Sequence, residues 1–340
     1  MVNWFDSAES DKSPIISSRI RLARNLASYP FSARIDTDKA KALIDKIRAA
    51  APEFHFIEPA KEDMMTRLSM VEHHDISPEV LKYGGERPFA LLKCGHDSNV
   101  MLGEEDHIRI QAIAAGNNLD SAYTAANEID NYLESSLEYA YHKRFGYLTS
   151  CPTNTGTGLR ASFMAHIPML EKTGSLAKMI SNLSKLGMTV RGIYGEGSKS
   201  FGGIYQVSNQ VTLGKSEDEI ISELKVIGNQ LVESENSLLK NAFIKNQTDM
   251  EDMIYRALGL LTHARKLTLS EAMESLSAVR IGLLSGLIDK NIANAPIYSV
   301  MMNTLPGNLQ KMHGRHLSEK DILIERAKYL RRVFTASSLK

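Results

Sequence analysis

The sequence is poor in cysteine, in net charge and in long apolar runs. Only two cysteines, Cys94 and Cys151, occur in 340 residues, so neither a disulfide framework nor a four-thiolate metal site can be built, and a reducing compartment fits. Forty basic side chains balance 40 acidic ones, which argues against general binding to nucleic acid or an anionic membrane. No stretch approaches the ~18 apolar residues of a membrane helix, and the opening "MVNWFDSAESDKS" has no basic region leading into an apolar run. The expectation is a cytoplasmic protein without a membrane partner.

The common catalytic signatures are also missing. There is no G-x-x-x-x-G-K-[ST] phosphate loop, no G-x-G-x-x-G fingerprint, no H-R-D or D-F-G pair and no H-E-x-x-H. Adjacent His73 and His74 diverge on a strand or a helix alike, which suits a shared metal poorly, so no protein metal ligand is expected. Internal repeats, low-complexity tracts and proline-rich linkers are absent too.

What is there is an ordinary globular composition, 43% apolar and 24% charged, in a chain long enough for two domains. The kind of periodicity changes near residue 245. Before it, "ISSRIRLA", "FALLKC", "NVMLGE", "HIRIQAIA" and "IYQVSNQVTL" alternate as half-buried strands of an antiparallel sheet. One long helix is expected over 118–144, with Leu119, Ala122, Ala126, Ile129, Leu133, Leu137 and Ala140 on one stripe. Another begins at a capping box, Ser216 to Glu219, and carries Ile220, Leu224, Ile227 and Leu231. After Asn246 the pattern is helical, with further capping boxes expected at Thr248–Glu251 and Thr268–Glu271, and a short helix opened by Asn294 and Pro296 and stopped at "LPG". The fold class is α+β, an antiparallel sheet flanked by helices over residues 1–245, followed by an all-α domain over 246–340.

The period of two in "SSRIRLARN" puts Arg19 and Arg21 on one strand face and Ile20 and Leu22 on the other. The pattern returns in "EEDHIRIQ", where His107 and Arg109 alternate with Ile108 and Ile110, and in "MTVRGIYGEG", where Arg191 follows Val190. Arg160 follows "TNTGTGL", whose Gly156 and Gly158 would let backbone approach a ligand and form an anion-binding nest. One strand arginine is ordinarily a solvated side chain. Repetition beside glycine loops points to phosphate, for which the guanidinium fork is suited. Glu104, Glu105, Asp106 and Glu196 stand close to these arginines in sequence and call for a positive partner, either Mg²⁺ or a cationic substrate, unless they form plain structural ion pairs.

Taken together, "SSRIRLARN", "EEDHIRIQ", "CPTNTGTGLRAS" and "RGIYGEG" followed by "GGIYQVSNQVTLGKSE" resemble, in order, the signature blocks of the ATP:guanido phosphotransferases, the phosphagen-kinase superfamily. Within it the chain is similar to the bacterial protein-arginine kinases, a likeness that "IYRALGLLTHARKLTLSEAMESLSAVRIGLL" carries into the helical third. The resemblance implies a phosphagen-kinase or glutamine-synthetase-like catalytic domain, ATP as donor, and Mg²⁺ held mainly by ATP phosphates and water. It implies nucleotide contacts from Ser17, Ser18, Arg19, Ile20, Arg21, His74, Arg109, Arg160, Ala161, Ser162, Arg191 and Gly192. Glu105 and Glu196 match the carboxylates that hold and deprotonate the acceptor guanidinium, and Cys151 matches the reactive cysteine beside it. A guanidinium with pKa above ~12 is a poor nucleophile until it loses a proton, which is why its site needs carboxylates.

Kinases of free guanidino acids carry a helical domain ahead of the first block, whereas here 16 residues precede Ser17. That favours an arginine side chain in a polypeptide over free arginine. The resemblance further implies unfolded or stress-related protein substrates, an activator protein, Clp-type protease machinery and a homodimer formed through the helical third. Two alternatives remain: a small-molecule guanidino kinase, and an inactive adaptor that docks phosphoarginine. Two departures from the family pattern stand out. The C-terminal R-D-x-x-R-A signal motif reads "EKDILIERAKYLRR", with Asp321 kept but Lys320 and Glu325 in place of arginines, which argues against phosphoarginine feedback; Thr155 replaces an apolar residue, with little effect expected.

Overall fold

The computed structural model describes residues 3–82, 87–194 and 200–335. Its strands are β1 (Ile15–Arg24), β2 (His55–Ile57), β3 (Ala90–Lys93), β4 (Ser98–Leu102), β5 (Ile108–Ala115), β6 (Tyr141–His142), β7 (Gly146–Tyr147), β8 (Leu159–His166), β9 (Met188–Tyr194) and β10 (Ser200–Asn209). Eight of them form one antiparallel sheet in the order β2-β3-β4-β5-β1-β8-β10-β9, and β6 with β7 makes a separate hairpin. The helices are α1 (Thr37–Ala50), α2 (Met64–Glu72), α3 (Leu119–Glu134), α4 (Pro168–Lys172), α5 (Ser175–Lys185), α6 (Glu217–Lys245), α7 (Gln247–His263), α8 (Leu269–Leu284), α9 (Ile297–Asn303), α10 (Pro306–His313) and α11 (Glu319–Thr335).

Because strand side chains alternate, the sheet has two faces with different fates. On one, Ile20, Leu22, Ile110, Leu159, Phe163 and Val207 pack against α1, α3 and α6 through Leu43, Ile47, Ala126, Leu133, Leu224 and Leu231. On the other, Ile113, Met164 and Ile204 meet Trp4, Phe5 and the C-terminal helices, among them Ile254, Met273, Leu276, Tyr298 and Leu330. The helical third therefore shares a core with the sheet. Fully buried Arg280 of α8 ties the two, donating to the carbonyls of Ser10 (2.6 Å) and Ser13 (2.7 Å) just ahead of β1 and meeting His166 Nδ1 at 2.9 Å.

The capping boxes at Ser216–Glu219 and Thr268–Glu271 form as expected and start α6 and α8. Thr248–Glu251 does not: α7 begins one residue past Asn246, which places Thr248 inside the helix without a capping role. The long helix expected over 118–144 stops at Glu134. Beyond it the chain pairs with the extension of β1, the Ala27 amide donating to the Glu138 carbonyl (3.0 Å) and the Ala140 amide to the Asn25 carbonyl (2.7 Å). Leu137 is buried all the same, so its periodicity reports burial rather than helix. "IYQVSNQVTL" leaves the sheet at Asn209, and in "LPG" Pro306 opens α10 instead of only ending α9, as a proline at the first helical position does.

Two helices are capped from a distance. Buried Glu235 of α6 accepts the amides of Met169 (2.8 Å) and Leu170 (2.9 Å) at the start of α4, and Glu72 at the end of α2 accepts those of Gly307 and Asn308, both at 2.6 Å, at the start of α10. A carboxylate there satisfies amides that a helix cannot pair internally. Burial nonetheless dominates, and pushes both carboxyls up to about 7.

Candidate active site

The sheet register brings the expected arginines onto the second face. Arg21 lies opposite Arg160 on β8 and Gln111 on β5, and Arg19 lies opposite Ser162 and Ile113. Arg109 is two residues along β5 from Gln111 on the same face, and Arg191 on β9 lies opposite Gln206 of β10. Arg19 donates to Gln206 Oε1 at 2.7 Å, and Arg160 to Ser208 Oγ at 3.3 Å. Burial, then Arg109 and Arg160, bring the Arg19 guanidinium down to about 10. Burial followed by the same neighbours and Arg19 pushes Arg21 further down, while burial and Arg191 lower Arg160. The buried Nε atoms of Arg21, Arg109 and Arg160 have no protein partner. Cations held against one another in a cleft, with donors left over, call for a polyanion.

A cavity of about 390 Å³ opens on this face, with Arg19, Arg21 and Arg109 on one wall and Val71, Ile76 and Ile193 among its apolar residues. Its dual lining matches a nucleotide, the phosphates against arginine and the base against aliphatic side chains. His74 closes one side. It holds a left-handed backbone (φ 63°), its carbonyl accepts from Gln111 Nε2 at 2.6 Å, and its ring stacks on Trp4 at 6.1 Å. Burial, then Arg19, keeps its imidazole neutral, its pKa brought down to about 3. Nε2 of that ring is buried without a protein partner and remains free to bond a ligand.

Not every expected nucleotide residue shares this face. Ser17 and Ser162 do. Ser18, Ile20, Ala161 and Gly192 turn to the opposite one: the Ser18 hydroxyl donates to the Gly116 carbonyl (2.9 Å) and accepts from the Asn118 amide (2.8 Å), Ile20 and Ala161 join the core, and Gly192 sits opposite Tyr205. His107 leaves the arginine face as well, its ring bridging the Leu26 amide (3.0 Å) and the Pro30 carbonyl (2.8 Å). Gln111, Gln206 and Ser208 belong to the site, and nothing in local sequence marks them beyond their period-two spacing from the arginines and from one another.

At the edge of the arginine face stands Glu105, exposed and beside Cys151. Asp106 fixes the pair: buried, its Oδ1 accepts from Asn25 Nδ2 and from the Ser150 amide, both at 2.7 Å, joining the acidic turn to the cysteine loop. Partial burial, then Asp106 and Glu104, raise the Glu105 carboxyl, which suits a proton acceptor. Glu104 fulfils the structural alternative and pairs with Arg109. Cys151 Sγ also meets Thr153 Oγ1 at 3.0 Å, and Thr155 bonds Thr149 at 3.0 Å, which gives the unusual threonine a partner. Glu196 lies outside the described residues. Gly156 and Gly158 serve the loop's own packing rather than a ligand: a Cβ on Gly158 (φ +65°) would fall 2.6 Å from the Ala23 carbonyl, and one on Gly156 2.5 Å from that of Thr212.

Residues 37–238 match the family model described as ATP:guanido phosphotransferase, C-terminal catalytic domain. The chain belongs to that family. Residues 247–340 match a second model, described as the protein-arginine kinase McsB C-terminal domain. A protein-arginine kinase of Caldanaerobacter subterraneus subsp. tengcongensis is 39% identical over 94% of this chain and 96% of its own length, and one of Clostridium kluyveri is 41% identical over 97% and 98%. Among solved structures, a duplicated taurocyamine kinase of Schistosoma mansoni, with transition-state analogue components bound, superposes with a TM-score of 0.61 at 25% identity. That match covers 76% of this chain and 40% of the other. A lombricine kinase shares the fold with a TM-score of 0.58 at 20% identity, over 70% of this chain and 72% of its own.

Among the described residues no cluster of three or more histidine, cysteine or acidic side chains could hold a metal, and no helix is long and apolar enough to cross a membrane. The altered C-terminal motif is occupied internally. Glu325 pairs with Lys328 (2.7 Å) and His313 (3.5 Å), and buried Arg326 donates to the carbonyls of Thr304 (2.9 Å) and Leu267 (3.0 Å).

Proposed function

We propose that the chain transfers the γ-phosphoryl group of ATP to the guanidinium of arginine side chains in proteins, with residues 1–245 as the catalytic part and 246–340 as a helical part for substrate docking or dimerisation. The observation that carries this is the junction of a five-arginine face with Glu105 and Cys151 at its edge. A site for phosphate alone has no use for an exposed carboxylate there; a site that also receives a cation does. Arg19, Arg21, Arg109, Arg160 and Arg191 hold the phosphates, while Val71, Ile76 and Ile193 receive the base and His74 bonds the nucleotide. Mg²⁺, when bound, neutralises phosphate charge and is held mainly by ATP phosphates and water.

In the transfer, a guanidinium nitrogen bonds the γ-phosphorus as the bond from that phosphorus to the ADP oxygen breaks. The guanidinium proton passes to a carboxylate, Glu105 or Glu196, and the products are ADP and phosphoarginine. Arginines placed before the reaction stabilise charge on the moving phosphoryl group without reorganising, which is the main contribution a protein makes to this chemistry. Cys151 orients the acceptor beside Glu105. The names of the relatives support a protein acceptor. On the resemblance alone we extend the reading to a cytoplasmic homodimer that acts on unfolded or stress-related proteins, works with an activator and hands its products to Clp-type proteolysis.

The test is Glu105→Gln. It keeps the size of the side chain and its hydrogen bonding but cannot take a proton, so phosphoryl transfer falls by at least a hundredfold while ATP affinity stays within about twofold. Unchanged transfer would remove Glu105 from the mechanism.

A further inference from the structure

Large apolar side chains are exposed on both sides of the loop that carries Cys151. Of the 12 large apolar side chains exposed among the described residues, five, Tyr141, Phe145, Leu186, Val211 and Leu213, stand on segments hydrogen-bonded in series to the loop that carries Cys151. The β6–β7 hairpin joins that loop on one flank, where the amides of Tyr147 and Gly156 each donate to the other's carbonyl (2.8 and 3.2 Å). On the other flank the Thr212 hydroxyl donates to the carbonyls of Thr153 (2.9 Å) and Thr155 (2.7 Å), and the Gln210 amide donates to the Gly187 carbonyl (2.8 Å).

The segment 211–213 is inverted relative to a folding pattern. Thr212 is 4% exposed, whereas Val211 and Leu213 beside it are 44% and 51% exposed. The two hydrogen bonds of Thr212 hold it inward, which leaves valine and leucine facing water at a cost in burial. On the opposite flank Phe145 is 41% exposed, and among the described residues its ring meets His142 (4.9 Å) and Arg144 (5.4 Å), neighbours in its own hairpin. Scattered exposed apolar residues need no explanation, but a cluster on both sides of one functional loop does.

We propose that these two apolar flanks are subsites for the polypeptide carrying the acceptor arginine, and that they select arginines with large apolar residues nearby in sequence. The proposal rests on the acceptor site being Glu105 and Cys151. The acceptor guanidinium must reach Glu105 and Cys151, so the backbone bearing it lies within one side-chain length of the cysteine loop, and the residues before and after it come to lie on Phe145 and Tyr141 on one side and on Val211, Leu213 and Leu186 on the other. Large apolar residues are mostly buried in folded proteins, so those flanking an arginine are seldom free to dock there. The rim would thus confine the reaction to chains that have lost their fold, without any contact that recognises unfolding as such.

The experiment uses the full chain with Mg²⁺ and ATP, and two synthetic peptides of equal length with a single arginine, flanked in one by leucine and phenylalanine and in the other by glycine and serine. The wild-type KM is expected to be about tenfold lower for the apolar peptide, equivalent to ~1.4 kcal/mol. Val211→Ser with Leu213→Ser, and separately Phe145→Ser, should each remove most of that difference while the KM for ATP and the rate on the glycine-serine peptide hold. Equal KM values in the wild type would overturn the proposal, as would a preference that survives both variants. A uniform loss on both peptides, with a change in mass by light scattering, would assign the rim to self-association and overturn it too. If the wild type labels neither peptide while still binding ATP, the acceptor-site reading fails first and the subsites fall with it.

Discussion

Replacing Arg19 by methionine should make the ligand-free protein more stable and blind to ATP. The Arg19 guanidinium is lowered from 12.5 to about 10 by burial and by Arg109 and Arg160, so its charged form is disfavoured in the folded state by ~3 kcal/mol at ~1.4 kcal/mol per unit. The sign follows from the direction: a depressed basic pKa means that the unfolded chain carries the charge at lower cost, and that penalty is present in full at pH 7. Methionine keeps the buried stem and removes the charge, at the loss of one hydrogen bond to Gln206 worth ~1 kcal/mol. A net gain of ~2 kcal/mol remains, about 3 °C in Tm for a chain of this size. ATP at a hundredfold over its Kd should stabilise the wild type by ~2.7 kcal/mol and the variant hardly at all. Thermal unfolding followed by the fluorescence of Trp4, the only tryptophan and stacked on His74, reads both. A variant less stable than the wild type without ATP, or one that still gains stability from ATP, would refute the view that this face is held ready for a polyanion.

Other consequences can be measured separately. Glu72 and Glu235 are raised to about 7 from 4.5, so the native state retains protons the unfolded chain has released, and these two groups lower stability as pH rises through that window. In Glu72→Gln, denaturant unfolding at pH 5.5 and pH 7.5 should therefore show a smaller drop across the window than in the wild type; an identical drop would mean that Glu72 is ionised throughout. Cys151→Ala, which removes the thiol beside Glu105, should reduce kcat by roughly ten- to a hundredfold, and Cys151→Ser by less, with ATP affinity unchanged; equal losses would make the cysteine a packing residue. Thr268→Ala removes the capping box of α8 and should cost ~1 kcal/mol by chemical denaturation. Gly158→Ala brings a methyl within 2.6 Å of the Ala23 carbonyl and should lower transfer and stability together, where a loss of transfer alone would return this glycine to ligand contact.

The alternating strands and the arginine face were legible because a sheet repeats every two residues, so Arg19 and Arg21 declare their common face without reference to anything else. Partners set by register were not. Gln206, Gln111 and Ser208 join the site only once β10, β8, β1 and β5 are aligned. The same holds for Glu72 and Glu235, which cap helices 235 and 66 residues away in sequence. Where local pattern misled, a distant hydrogen bond had prevailed. Leu137 and Ala140 continue the helical spacing of α3, yet the chain there pairs with the end of β1, and Thr248 offered a capping box two residues too late for a helix whose N-cap is Asn246. The carboxylate and cysteine roles came from the likeness of whole blocks to a family. Spacing alone left Glu105 open as a structural ion pair, and the fold gives that part to its neighbour Glu104.

The most direct test of the central claim is mass spectrometry for acid-labile phosphate on arginine after the protein, Mg²⁺ and ATP are mixed with an unfolded protein, beside a reaction with free arginine. The account predicts phosphoarginine in the polypeptide and none on the free amino acid. Phosphorylated free arginine with unmodified polypeptide would contradict it and make the chain a kinase of small guanidino compounds.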